Sequence, residues 1–488
     1  MFKQETLSSN AAPASPVAAI VLTGLLAAAS GLSLAALGSG VNALLVPAAA
    51  MTAAVAVFRP EIGLALLFLS APLETTYIDI GIRIKPQHIL GMLTIAGWTL
   101  QSLSSKKRNI RGSILNLPLF LIVLMGLATF MLHSRFASLG MSLFALQLWF
   151  IAIIYLVANF ADRPGTLSRC FWMLVIAGVL EAGFALVQSA SFYRDAGASA
   201  SYSSILQEGR PSGTFTEPDF LAPFLVGSFL LTLPFWESSA RTGWGRLIVP
   251  AALLILAACM LTMVRAAWLG MLAGAIAFAW LKVSGRREPG RIASLLKRAA
   301  AVTAAIAAVI ALLASVSPAA FSAMQVRAKN IVSIVEPENP HRTRLREVNE
   351  TWETIKESPL TGHGIGTFGV TTAYGGRIAA GSDQLRGGVV GSGFLLGLLH
   401  DQGLVGLALF VLLVVFLLCR LFVALRNARP NEVPYLQALF LALVALTVSS
   451  AFNNLYYFGF YWLVIALAAG MASARPDLGA APEEGDGC

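Results

Sequence analysis

Apolar runs near 20 residues long recur along this chain, and no other feature limits its possible folds as strongly. A run of that length crosses the roughly 30 Å hydrocarbon core of a bilayer as a helix. About fourteen are readable, near 16–38, 41–58, 61–77, 88–103, 114–132, 139–160, 169–190, 218–236, 247–263, 266–283, 300–317, 394–425, 436–455 and 457–474. Backbone inside lipid must satisfy its own hydrogen bonds, so these runs are helices. They lack the apolar/polar alternation of an outer-membrane barrel strand. Composition agrees: 57% of residues are hydrophobic and 12% charged, where a soluble domain carries about 25% charged residues. The expected fold class is an all-α polytopic membrane protein with about 12–14 transmembrane helices.

The formal charge of +9 is no nucleic-acid footprint, because the cations sit in short loops, as topology signals do. Lys106, Lys107, Arg108 and Arg111 fill one loop; Arg286, Arg287, Arg291, Lys297 and Arg298 fill another. Arg241 and Arg246 mark a third turn, and Arg420, Arg426 and Arg429 flank a fourth. With the N-terminus cytoplasmic, all four fall on the cytoplasmic side, and 191–217 and 318–392 fall outside. The first apolar run, from about Pro16, follows a single lysine, Lys3, and is long enough to be retained as a span. Cys170, Cys259, Cys419 and Cys488 show neither metal spacing nor a disulfide framework. The expected organisation is transmembrane helices over 1–317, a periplasmic loop domain over 318–392, transmembrane helices over 393–474 and a disordered cytoplasmic tail over 475–488.

The stretch 318–392 is the long polar segment between hydrophobic spans, so chemistry is expected beneath it. Its 341–357 portion reads as a helix ending before Pro359, with Leu345, Val348, Trp352 and Ile355 on one apolar face. Cations and anions in the loop nearly balance, so an anion site there must be local. Arg342, Arg344 and Arg346 lie at successive odd positions, which do not share one helix face, so at most two can address one ligand. GHGIGTFG at 362–369 supplies glycines for tight turns.

Other candidates lie at the same face. Arg210 precedes Glu217 and Asp219, and Pro218 suits a helix start. The group can bind a diphosphate and hold an acceptor hydroxyl, or form an interfacial salt bridge with an N-cap. Arg265 falls in a tight turn between two spans; its guanidinium offers bidentate contact to phosphate, or reaches to water as a snorkelling side chain. His341, His363 and His400, the last beside Asp401, are possible general bases, although scattered histidines usually pack or hydrogen-bond. No His/Asp/Glu grouping has metal-ligand spacing, so no metal or cofactor is expected. Glu181, mid-helix in an apolar run, is a functional hypothesis by its cost alone, set against a protonated helix–helix contact.

Together these segments resemble the O-antigen ligase/polymerase family of bacterial inner-membrane glycosyltransferases. RPSGTFTEPDFLAPFL (210–225) resembles its R-x-x-G-T-F-x-x-P-N-x-x-A segment, with Asp219 where Asn is usual. TMVRAAWLG (262–270) resembles S-R-x-A-W-L-x, with Val264 in place of Ser. RLREVNETWETIKESPLTGHGIGTF (344–368) resembles the outer-loop helix followed by P-L-x-G-x-G-x-G-x-F. GSGFLLGLLHDQGLVGLALF (391–410) resembles H-N-x-x-L-x-x-L-x-E-x-G-L-x-G-L-x-x-F, with Ser392 and Gly393 at the H-N position. The resemblance covers roughly 200–410. It implies a GT-C-like fold and metal-independent transfer at the periplasmic face. The implied donor is an undecaprenyl-diphosphate-linked glycan, and the acceptor a sugar hydroxyl on a second lipid-linked glycan or on lipid A core. Arg210 and Arg265, with Arg342, Arg344 or Arg346, are then expected at the departing diphosphate, and Glu217, Asp219 and His363 as base candidates.

In the ligases of this family the histidine at the H-N position is proposed to activate the acceptor, so its replacement here favours a polymerase of O-antigen or exopolysaccharide repeat units. The alternatives are an O-antigen ligase with a relocated base, at His363 or His400, and, from another class, a lipid-glycan flippase or transporter. Transporters tend to carry paired broken helices and internal repeats, and neither is visible in the sequence.

Overall fold

Most of the long apolar runs that the structure describes are helical throughout, as backbone without access to water must be. This computed structural model describes residues 42–79, 83–104, 110–133, 137–163, 165–194, 210–236, 247–284, 311, 315, 341–368, 393–456 and 458–473. The expected span near 16–38, all but residues 311 and 315 of 300–317, loop stretches 318–340 and 369–392, and the tail 475–488 lie outside them. In chain order the helices are α1 (Asn42–Phe58), α2 (Pro60–Leu69), α3 (Pro86–Ser104), α4 (Asn116–His133), α5 (Ala137–Phe160), α6 (Thr166–Arg194), α7 (Pro218–Thr232), α8 (Ile248–Thr262), α9 (Arg265–Ser284), α10 (His341–Glu357), α11 (Phe394–Asn427), α12 (Val433–Ser450) and α13 (Gly459–Ser473). A two-residue antiparallel ladder, β1 (Ile78–Asp79) with β2 (Arg83–Ile84), lies between α2 and α3. Six helical stretches are long and apolar enough to cross a bilayer: Gly140–Phe160, Thr166–Phe192, Pro218–Phe235, Arg265–Val283, Phe394–Asn427 and Val433–Ser450. The chain is an all-α multi-pass membrane protein.

The contacts separate into two compact units. In one, formed among the described residues by Asn42–Leu67 with His88–Ser104, α3 approaches the end of α1 closely. A Cβ at Gly97 would fall 2.2 Å from the Val57 carbonyl oxygen, and Gln101 donates to the Phe58 carbonyl at 3.3 Å. Small residues at such crossings let membrane helices meet backbone to backbone. The other unit comprises Phe68–Gln87 and the chain from Asn109 on. Its centre is the pair α7 and α12: α7 packs on α6, α8, α9 and α12, while α12 also packs on α9, α11 and α13. Helix α7 is apolar on all sides and buried continuously from Leu221 to Thr232, as expected of a helix with no polar face.

Two expected spans take other forms. The run near 61–77 is helical only to Leu69; the chain then turns through Pro72, and Glu74 is buried against Lys85, with Gln87 donating to it at 3.2 Å. A proline and a buried carboxylate with partners in a later segment end the helix there. The run 394–425 is broken: Gly403, at φ 65° and ψ −169°, divides α11 into Phe394–Gln402 and the longer portion from Leu404. The helix expected over 341–357 is present as α10, and Pro218 stands in the first turn of α7.

Candidate functional site

The segment from Arg210 to Asp219 is pinned from several sides. Glu181 of α6 accepts the backbone N–H of Thr214 at 2.7 Å, and its Oε2 lies 3.2 Å from the Thr214 hydroxyl oxygen. Gln188, two turns on, brackets Gly213: its amide donates to the Gly213 carbonyl at 3.1 Å and accepts the Gly213 N–H at 2.9 Å. The Thr214 hydroxyl donates to the Pro72 carbonyl at 2.6 Å, and Thr75 N–H donates to the Thr214 carbonyl at 3.0 Å. The buried carboxylate of Glu181 therefore holds backbone, which is neither of the two roles weighed for it from the sequence.

That pinned segment delivers Arg210 into the protein. Its Nε donates to the Thr262 carbonyl at 2.7 Å and its Nη2 to Asp219 Oδ1 at 2.8 Å, with the side chain only 9% exposed. The last carbonyls of a helix have no partner within it. Thr262 ends α8, Met263 turns the chain in the left-handed region at φ 54°, and Arg265 opens α9. A left-handed non-glycine residue costs about 1–2 kcal/mol, so something must hold this turn, and the Arg210–Thr262 bond does so. Arg210, Asp219 and the turn carrying half-buried Arg265 thus form one cluster. Glu217, at the N-cap of α7, is half-buried and makes no side-chain cap hydrogen bond.

A second cluster surrounds the break in α11. Breaking the helix frees backbone groups, and the loop after α10 takes them up. His363 and Gly364 N–H donate to the His400 and Asp401 carbonyls, each at 2.9 Å. Leu404 and Val405 N–H donate to the Pro359 and Leu360 carbonyls at 2.8 and 3.3 Å. The buried Asp401 carboxylate accepts the N–H groups of Gly366 (2.8 Å) and Phe368 (2.7 Å) and the Thr367 hydroxyl (3.1 Å). His400 Nδ1 lies 3.0 Å from Asp401 Oδ1. The approach is close enough to require glycine: a Cβ at Gly403 would fall 2.3 Å from the Leu360 carbonyl. His363 belongs to this knot. Its Nε2 lies 2.7 Å from the Thr354 carbonyl, so Nε2 carries the ring proton.

The loop between α12 and α13 joins the two clusters. Asn453 donates through Nδ2 to the Asp219 carbonyl at 2.8 Å, and its own carbonyl accepts Phe394 N–H at 3.3 Å. Phe458 stacks on Phe220 with centroids 4.1 Å apart. Asn454, Tyr456, Phe394, Phe368 and Asp401 line a small crevice, and Asn454 Oδ1 has no hydrogen-bond partner among the described residues. Burial pushes the Tyr456 phenol above its usual pKa. This loop was not singled out from the sequence. Its one signal was a pair of asparagines between aromatic residues, with no cations to mark the turn.

Of the sequence candidates, Arg210, Asp219 and the Arg265 turn come together, Glu217 stands at the same helix start, and His363 belongs to the second cluster. The backbone of Arg342, Arg344 and Arg346 lies in α10, but their side chains, and that of His341, are outside the described ones. The side chains expected on one apolar face of α10 divide: Ile355 is buried, whereas Val348 and Trp352 are exposed. At the departure from the family pattern, Ser392 lies outside the described residues, and Gly393 adopts φ 112° with a Cβ position 2.4 Å from the Ala451 carbonyl oxygen. No larger residue fits at 393 without moving that loop.

Residues 250–411, about a third of the chain, match the family model described as O-antigen ligase. The match takes in Arg265, α10, the loop to Phe368 and the break at Gly403, and leaves Arg210 and Asn453 outside. No curated protein matches the chain.

Proposed function

With the O-antigen ligase family match over residues 250–411 as premise, we propose that this chain is a glycosyltransferase of the bacterial inner membrane. It moves a glycan from an undecaprenyl-diphosphate carrier to a sugar hydroxyl at the periplasmic face, extending O-antigen or exopolysaccharide repeat units. The observation that carries this reading is the buried Arg210 guanidinium, bonded at once to Asp219 and to the Thr262 carbonyl. It ties the 210–219 segment to the turn that presents Arg265 at the start of α9. The first peptide N–H groups of a helix favour an anion, and a cation held there in advance stabilises the charge that grows on a departing diphosphate.

In this scheme Arg265 contacts the diphosphate, Arg210 orders the turn that holds Arg265, and Arg342, Arg344 or Arg346 close from α10. The arginines neutralise the leaving group, so no metal is invoked. Glu217, Asp219 and His363 stay the base candidates; Asp219 Oδ1 accepts from Arg210, and His363 Nε2 donates to the Thr354 carbonyl. Ser392 and Gly393 stand where ligases of the family place His and Asn, and loss of that acceptor-activating histidine supports extension of lipid-linked chains over transfer to lipid A core. A transporter is less well supported: α11 is broken, yet the described helices include no matching second break.

The test is turnover of purified lipid-linked repeat unit by the reconstituted protein, with and without a lipid A core acceptor. Longer lipid-linked chains made without core are expected. Core-linked glycan alone would make the chain a ligase, and an inert but folded protein would overturn the enzyme reading.

A further inference from the structure

Helix α10 has an apolar flank that its own packing leaves uncovered. Thr351 and Ile355 are buried, and the helix rests on α11. Val348 and Trp352, one turn apart on the adjacent flank, are exposed, Trp352 by 49%. The flank continues past the end of the helix to Leu360, exposed by 60%. The Leu360 carbonyl accepts Val405 N–H, and the Pro359 carbonyl accepts Leu404 N–H, so this corner is fixed directly beside the break in α11.

Leu404 and Val405 are themselves exposed, and they begin a stripe. Down α11, Val411, Leu412, Val415, Phe416 and Val423 are exposed, while Gly406, Phe410, Leu413, Val414, Leu417 and Leu421 are buried. An exposed apolar stripe at helical spacing on a membrane-spanning helix faces lipid. From Leu404 to Val423 is about 20 residues, or about 30 Å of helix, the thickness of a hydrocarbon core. Exposed Arg420 lies within the last turn of that length, where a long cation snorkels to the headgroups, and Arg426 lies beyond it. Leu404 therefore marks one hydrocarbon boundary, and Leu360 is held next to it, with Trp352 five residues before the end of α10. Glu353 and Glu357 of α10 are exposed on the side away from Ile355, and exposed Lys356, one turn past Trp352, borders the flank where a lysine reaches the headgroups.

We propose that α10 and the Pro359–Leu360 corner form an interfacial membrane anchor, with Val348, Trp352 and Leu360 entering the headgroup–acyl boundary of the same bilayer that the α11 stripe faces. Tryptophan suits that depth, with an apolar ring and a polar N–H, and a helix with one apolar flank and a charged face lies in the interface plane. Such an anchor sets the height of the Asp401 knot above the hydrocarbon. That the same height suits a lipid diphosphate rests on the proposed function; the anchor itself does not.

The experiment uses the full chain, reconstituted in phosphatidylethanolamine–phosphatidylglycerol vesicles, with p-benzoylphenylalanine placed in turn at Trp352, Glu353 and Phe416 and irradiated. Phe416 reports the lipid-facing stripe. A lipid adduct at 352 and 416 with its loss at 353 is expected. A chain-to-chain dimer at 352 would assign the flank to a second copy, and an intrachain cross-link would assign it to another segment of this chain; either overturns the anchor. So does an adduct at 416 without one at 352, or equal lipid adducts at all three positions.

Discussion

The two clusters use charge in opposite ways. Around Arg210 the charges are side chains that meet one another and one helix-end carbonyl, and Arg265 stands half-buried beside them. Around Gly403 a single carboxylate, Asp401, is consumed by backbone N–H groups, a hydroxyl and a histidine. A charge saturated by backbone fixes a shape, whereas Arg265 stands in the first turn of a helix, where the peptide N–H groups favour an anionic ligand. Under the proposed function, chemistry belongs to the first cluster and architecture to the second, although the second holds the histidines.

The sharpest way to break that contrast is Arg265→Ala. Polymer formation is expected to fall roughly 100-fold or more, as when one transition-state donor is removed, with size-exclusion behaviour unchanged. Near-normal chain length would remove Arg265 from the site. Asp401→Ala is expected to act on the fold, because it leaves buried N–H groups unmatched, at roughly 3 kcal/mol. Thermal unfolding in detergent reads this as an early transition, and a wild-type curve would show that the knot is not structural. Gly403→Ala meets both a positive φ and the Leu360 carbonyl, costing about 2 kcal/mol; protease sensitivity between Ser358 and Phe368 should rise. The smallest effect is expected for Glu181→Gln, which keeps an acceptor for Thr214 N–H and loses about 1 kcal/mol of charge-assisted bonding. A total loss of polymer in that variant, with an intact fold, would move Glu181 from support to chemistry.

Much of the first cluster was legible because its residues are local and unusual. Arg210, Glu217 and Asp219 sit within ten residues at a helix start, and Arg265 sits in a short turn between apolar runs, where charge is costly enough to stand out. Asp401 was read only as a neighbour of His400, since nothing in HDQG announces a helix break or a loop returning from Pro359. Glu181 was noticed for its cost, but its partner, the Thr214 backbone, is 33 residues away and has no side-chain signature. Asn453 was missed because its work is done through hydrogen bonds to the backbone of Asp219 and Phe394, which any sequence provides.

By itself the sequence determined that this chain enters a membrane as helices, where most of the described helices run and which arginines lie near their ends. Lipid enforces these outcomes through length and hydrogen-bond satisfaction, which are properties of single segments. Only the tertiary structure decided which charges saturate one another, that α11 breaks at Gly403, and that the loop through Asn453 joins the two clusters. Those outcomes depend on backbone groups meeting across tens to hundreds of residues, and a backbone amide carries no mark of its partner in the order of side chains.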